Sequence, residues 1–424
     1  MAEVWADIDL LKQARVTVLR VSIGWDGVEP ERDRYDFAFW DTFVAAMTTA
    51  GIRLIPYVAY TPRWNSKGQP DFWKRPPTDL REFTELMALL AARYRDSIRS
   101  WEIWNEPDNA DFWAGSAADY AALLAAGAAG VRAGAPGARV VFGGVAGRPE
   151  FATAVLARPE IGALVDVVNA HAYFETWNSA PIESLPAYVA SFAPALSRPD
   201  RPPRSLWLAE VGYSDYRRPD LAASGDRAAS AYEHTPDFQA VALIRLIALA
   251  LTRPEVALFA WYEVKDPAPG APMIGDDNNR HLGVVFSDRR PKPALAALAF
   301  ANRLFGSGIS PLDDRLQVSR PPGSALEAHA FLTASGRIAI IAWLPTHAVV
   351  AREIAAFALP VAPAGPVRRF DAQGNERARL KAGAGPTAGS LRVDDVEIER
   401  GDVAVLDVPV AANLRQSLRT PPDS

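Results

Sequence analysis

Seven short apolar segments recur along the first two-thirds of the chain, each leading into a longer stretch with helical spacing. They are VTVLRVSIGW (16–25), IRLIPYVAY (52–60), WEIWNEPDN (101–109), ARVVFGGVAG (138–147), VDVVNAHAYF (165–174), SLWLAEVGYS (205–214) and VALFAWYEVKD (256–266). The helical stretches between them include FAFWDTFVAAMTTAG (37–51), DLREFTELMALLAARYRD (79–96) and PDFQAVALIRLIALALTR (236–253); PKPALAALAFANRLF (291–305) closes the series. Strands that are apolar on both faces and alternate with helices predict βα units around a buried parallel sheet. Eight such units close a (β/α)8 TIM barrel. The chain opens on a helix-like segment, ADIDLLKQAR (6–15), so the strand expected to be missing is the first.

Beyond about 306 the spacing changes. ALEAHAFLTASGRIAIIAWLP (325–345) reads as a hairpin turning at ASGR, and short alternating segments continue to DVAVLDVPV (402–410). Such a series predicts a C-terminal β-sandwich. The expected division is a barrel over 1–306 and a sandwich over 307–424, ending in a loose polar tail, NLRQSLRTPPDS. Trp343 is the sole tryptophan of the second part, which points to packing on the barrel rather than glycan binding.

Composition narrows the chemistry. A net charge of -5 lacks the basic footprint of a nucleic-acid partner. With no cysteine, thiolate catalysis and cysteine metal sites are excluded. The five histidines are scattered without an H-x-x-x-H pair, and no Walker or G-x-G-x-x-G pattern appears, so neither metal nor cofactor is expected. No apolar run of about 18 residues predicts a membrane span. The start as written has no signal-peptide pattern; it suits the cytoplasm, or export if residues precede it.

Active sites of parallel barrels lie at the carboxyl ends of the strands. Glu106 stands at such an end in W-N-E-P, and Pro107 is expected to hold it extended, projecting from the rim. Asn105 beside it can donate to or accept from a hydroxyl. Glu210 closes another apolar strand. Two carboxylates flanking a glycosidic bond can share acid/base and nucleophilic work. Arg20 lies inside an apolar strand, so it must be paired, either under the nucleophile or in a structural bridge with Glu102. His171 and Tyr173 are two apart and share a strand face with Asn169.

These motifs, W-N-E-P followed about 100 residues later by AEVGYS, with the earlier run from RVSIGW to TPRW, resemble clan A of the glycoside hydrolases. The likeness is greatest to family 39 and related bacterial exopolysaccharide hydrolases, and spans about 10 to 305. It implies a retaining hydrolase acting on a β-linked polysaccharide or oligosaccharide. Glu106 would be the acid/base and Glu210 the nucleophile, with Asn105 on the 2-hydroxyl and Arg20 beneath the nucleophile. His171 or Tyr173 would touch the nucleophile or the sugar, and Trp261 would be the platform under the reacting sugar. Trp25, Trp64, Trp113 and Trp177 fall in loops after strands, where aromatics can line a sugar cleft or simply pack. Glu29, also before a proline, is expected to fix a loop; Glu102 is expected to be buried support; Glu263 has no assigned role. Alternatives are a carbohydrate-binding protein with a dead barrel, and a transglycosylase.

Overall fold

The structure, a computed structural model, describes residues 2–199, 201–216, 234–306, 308–362, 364–387 and 389–411. The polar tail from 413 lies outside them. Seven parallel strands form one sheet in sequence order: β1 (Val18–Gly24), β2 (Arg53–Ala59), β3 (Ser100–Asn105), β4 (Arg139–Gly144), β5 (Val167–Ala172), β6 (Ser205–Val211) and β7 (Val256–Trp261). Consecutive parallel pairing with a helix in each crossover is the (β/α)8 pattern one strand short. Strands β3 and β5 are buried at every position, whereas β1 and β7 are mostly half-buried. Among the described residues no ladder joins β1 to β7. A cavity of about 700 Å³ lies along this seam, reaching Arg20, Tyr57, Tyr262 and Glu263. The first helix, Ala2–Gln13, covers the seam: Asp7 pairs with Arg289, and Asn302 donates to the carbonyl of Ala14.

Local sequence sets the helix starts. Asp79 accepts from the N–H of Arg81, and Ser116 with Asp119 forms a capping box. Thr235 caps the helix Pro236–Leu251 with proline at its first position. No described helix is long and apolar enough to cross a membrane.

The C-terminal strands form two antiparallel sheets, of six and four strands. The expected hairpin is present, Glu327–Thr333 against Arg337–Trp343, with its turn at 334–336. Alternation splits this hairpin between two cores. Ala330, Leu332, Ile338, Ile340 and Ala342 face the second sheet, meeting Phe357, Val393 and Ile398. Phe331, Ala339, Ile341 and Trp343 turn the other way and join the barrel core. One sheet thus serves both as half of a sandwich and as a lid on the barrel helices.

Candidate active site

Arg20 sits near the middle of β1, and its guanidinium reaches three strands. Nε and Nη2 donate to the two oxygens of Glu102 on β3, each at 2.8 Å. Nη1 donates to Glu210 Oε2 on β6 at 2.7 Å, and Nη2 also donates to Asn105 Oδ1 at 2.8 Å. The ring of Tyr57 on β2 lies 4.2 Å from the guanidinium carbon. Arg20 therefore bridges Glu102 and also lies beside Glu210. Glu102 is fully buried and fully engaged, accepting also from the N–H of Gly144 and from Asn169.

Glu210 receives a second donor, the hydroxyl of Tyr173 at 2.5 Å. Glu106 follows β3 directly and is only 6% exposed. Its Oε2 accepts from Asn109 Nδ2 at 2.8 Å, and its Oε1 lies 2.7 Å from His171 Nδ1. The same His171 nitrogen is 3.5 Å from Glu210 Oε1. One oxygen of Glu106 and one of Glu210 lie within 4.8 Å of each other. Burial lifts the Glu106 carboxyl to about 7, against the opposing pull of Asn109 and Arg20. Burial likewise lowers the pKa of His171, against the opposing pull of Glu210.

Glu106 is not extended as expected before Pro107. Its φ is +46°, and Trp104 two residues earlier has φ +73°. Both lie in the left-handed region that non-glycine residues avoid. The cause is the turn that starts at once: the N–H of Asn109 bonds the Glu106 carbonyl. That reversal aims the Glu106 side chain inward, and strained backbone of this kind concentrates at functional sites.

The aromatic residues divide. Trp25 is wholly buried, donates to Glu29 Oε2, and meets Trp64 edge-on at 5.8 Å. It offers no face to a ligand, so its expected place in a sugar cleft is corrected to packing. Trp64 donates to the Glu29 carbonyl and is half-buried. Glu29 also accepts from the N–H of Asp33, so it fixes this loop. Trp113 is buried against Trp104, with ring centres 4.9 Å apart. Trp177 is 43% exposed beside Tyr173 and donates to Asp276. Trp261 packs outward among Ala14, Val284 and Leu295, away from the carboxylates. Its neighbour Tyr262 takes the inward place, 6.2 Å from the Tyr173 ring and within electrostatic reach of Glu210. Alternation explains the swap: adjacent residues face opposite sides, and register shifts between β6 and β7 hide the phase from sequence.

Tyr57, Asn109 and Tyr262 were missed by sequence reasoning. Asn109 alone carried a signal, three residues after Glu106 in the quoted motif. Glu106, His171 and Glu210 have atoms suited to a metal, as do Glu29, Asp33 and Glu82. In the first group Arg20 and Tyr173 hold Glu210, and Asn109 holds Glu106; in the second Arg32 pairs with Glu82. Protein groups thus already engage both glutamates of the first group and Glu82 of the second.

A family model described as beta-galactosidase, glycoside hydrolase 42, matches residues 2–82. A family 39 glycoside hydrolase from Bacteroides cellulosilyticus WH2 superposes with TM-score 0.68 at 18% identity, covering 96% of this chain and 78% of that one. A monomeric beta-xylosidase from Caulobacter crescentus CB15 gives 0.63 at 16%, covering 96% and 92%. The GH39 enzyme from Xanthomonas axonopodis pv. citri gives 0.61 at 18%, covering 96% and 90%. Among curated proteins no sequence matches. At these identities the likeness establishes the fold. In fold and in its barrel motifs, the chain is thus similar to clan A of the glycoside hydrolases, with family 39 members among its structural neighbours.

Proposed function

We propose that the chain is a retaining glycoside hydrolase cleaving β-linked sugars by double displacement. The observation that carries this is the pair Glu106 and Glu210, with oxygens within 4.8 Å, held by different partners. Carboxylates this close leave no room for a water between them and the sugar, as inversion requires; the spacing suits direct attack. Glu106, lifted to about 7, keeps a proton to give near neutral pH. Glu210, held by Arg20 and Tyr173, is the anionic member.

In the first step Glu106 protonates the leaving glycosidic oxygen as that bond to the anomeric carbon breaks. A Glu210 oxygen forms the new bond to the same carbon, giving a glycosyl ester. In the second step Glu106, now ionised, takes a proton from water, whose oxygen attacks the anomeric carbon and frees Glu210. No cofactor enters either step. Asn105 has its Oδ1 occupied by Arg20, so its amide N–H groups remain for a sugar hydroxyl. Tyr262 and the exposed Trp177 supply aromatic surface near the pair.

The relatives' names, beta-xylosidase and beta-galactosidase, define the first substrates to try. Aryl β-xylosides, galactosides and glucosides form the screen, with Glu210→Gln as control. Turnover by the native chain and its loss by at least about a thousandfold in the variant is expected. A variant keeping near-native activity contradicts the assignment. Heat of binding to oligosaccharides without any cleavage would instead favour the carbohydrate-binding alternative.

A further inference from the structure

We propose that Gly144 is a positioning residue that locks His171 as a single Nδ1–H donor shared between Glu106 and Glu210. This rests on the double-displacement reading above. Gly144 closes β4, and a Cβ built there would stand 1.9 Å from His171 Nε2 and 2.6 Å from its Cδ2 and Cε1. Its backbone is outside the left-handed region, so space rather than conformation demands glycine. The imidazole lies with its Nε2 edge against the bare Cα of Gly144.

That seat decides which nitrogen carries the proton. The His171 side chain is fully buried, and Nε2 has no partner. A proton on Nε2 would be an orphaned buried donor. A proton on Nδ1 meets Glu106 at 2.7 Å and Glu210 at 3.5 Å. The second tautomer satisfies the donor and the first does not. With Gly144 behind it and carboxylates before it, the ring has one useful polar atom, and that atom faces both reacting groups.

Double displacement moves one negative charge between those groups. It begins on Glu210; after the ester forms, Glu106 has given up its proton and carries it. The Nδ1–H can serve either oxygen with little motion of the ring, and no proton enters or leaves His171. Arg20 from β1, Tyr57 from β2, Glu102, Asp108 and Asp111 from β3 and its loop, Tyr173 and Tyr188 from β5 and beyond, and Tyr262 and Glu263 after β7 also face the two groups. Apart from His171, only Asn109 places a hydrogen-bond donor on Glu106 among the described residues.

Three variants test this: Gly144→Ala, His171→Ala and the pair combined. Gly144→Ala should lower kcat/KM by about tenfold, the worth of one hydrogen bond to a charged group. It should also move the alkaline limb of the pH profile upward, because ionised Glu106 loses a donor and holds its proton more tightly. His171→Ala should move the limb in the same direction, and adding Gly144→Ala to it should change nothing further. An additive loss, or an unmoved limb, overturns the proposal. If Gly144→Ala alone fails to fold, the combined variant should fold, since the clash is with the imidazole; failure of both overturns the proposal as well. Histidine ring ¹⁵N spectra, assigned with His171→Ala, give a readout independent of any hydrolysis. A neutral Nδ1–H ring in the native chain, lost in Gly144→Ala, is expected. An Nε2–H ring, or one protonated near pH 7, contradicts the proposal even if the enzyme hydrolyses glycosides.

Discussion

Three nitrogens of Arg20 tie β1 to β3 and β6, and this one guanidinium sets the spacing of the site. Glu106 makes no ion pair with it, and burial outweighs the pull of Arg20 and Asn109, raising its pKa from an ordinary 4.5 to about 7. That shift has a consequence for stability. Between pH 4.5 and 7 the folded chain binds a proton at Glu106 that the unfolded chain has released. Stability therefore falls as pH rises through this window, by up to about 3 kcal/mol for this group. Glu106→Gln removes the effect: its melting temperature should match the native chain near pH 4 and exceed it near pH 8. Parallel curves across that range would contradict the raised value. At this scale the sequence was informative where chemistry is rare. An arginine within an apolar strand and glutamates at strand ends stand out against their surroundings. Tyr57, an aromatic in an apolar strand, does not, because nothing in its own segment says that an arginine from the next strand lies over its ring.

The elements show why some phases were legible and others not. The β7 segment is apolar on both faces and gives no alternation to read, so Trp261 and Tyr262 were equivalent in sequence. Register shifts between β6 and β7 keep the phase from being carried over from the neighbouring strand. The left-handed turn at Trp104 and Glu106 was likewise hidden, since Pro107 alone argues for extended backbone. Helix packing beneath the site offers a cleaner case. The helices Leu80–Arg93 and Ala117–Gly134 approach closely at Gly130, where a Cβ would stand 2.3 Å from the Thr84 carbonyl oxygen. Gly127 on the same face accommodates Ile103 of β3, the strand that delivers Glu106. In an exposed helix, glycine to alanine gains about 1 kcal/mol. Here the sign should reverse: Gly130→Ala is expected to cost at least about 2 kcal/mol by denaturant unfolding. A gain in stability would show that the two helices are not held this tightly.

For the whole molecule, an alternating strand–helix pattern and a later run of short strands were enough to give the architecture. The pattern did not show that one hairpin would serve two cores. Trp343 joins the barrel side and donates to Glu183, while Arg245 from the helix Pro236–Leu251 reaches the carbonyl of Asp402 across the same boundary. Removing 307–424 would uncover that apolar face and leave Arg245 without this acceptor. A chain of 1–306 is therefore expected to be insoluble, or to melt at least about 10 °C below the full chain. Full stability of that fragment would mean that the β region is an independent appendage. The central claim, however, concerns where one covalent bond forms. The most direct test is to incubate the protein with 2-deoxy-2-fluoro β-glycosides carrying a good leaving group, matched to whichever sugar it hydrolyses, and to map the adduct by mass spectrometry. Double displacement predicts one glycosyl unit per chain, attached at Glu210. Turnover of the parent glycoside with no adduct, or with an adduct on any other residue, would contradict it.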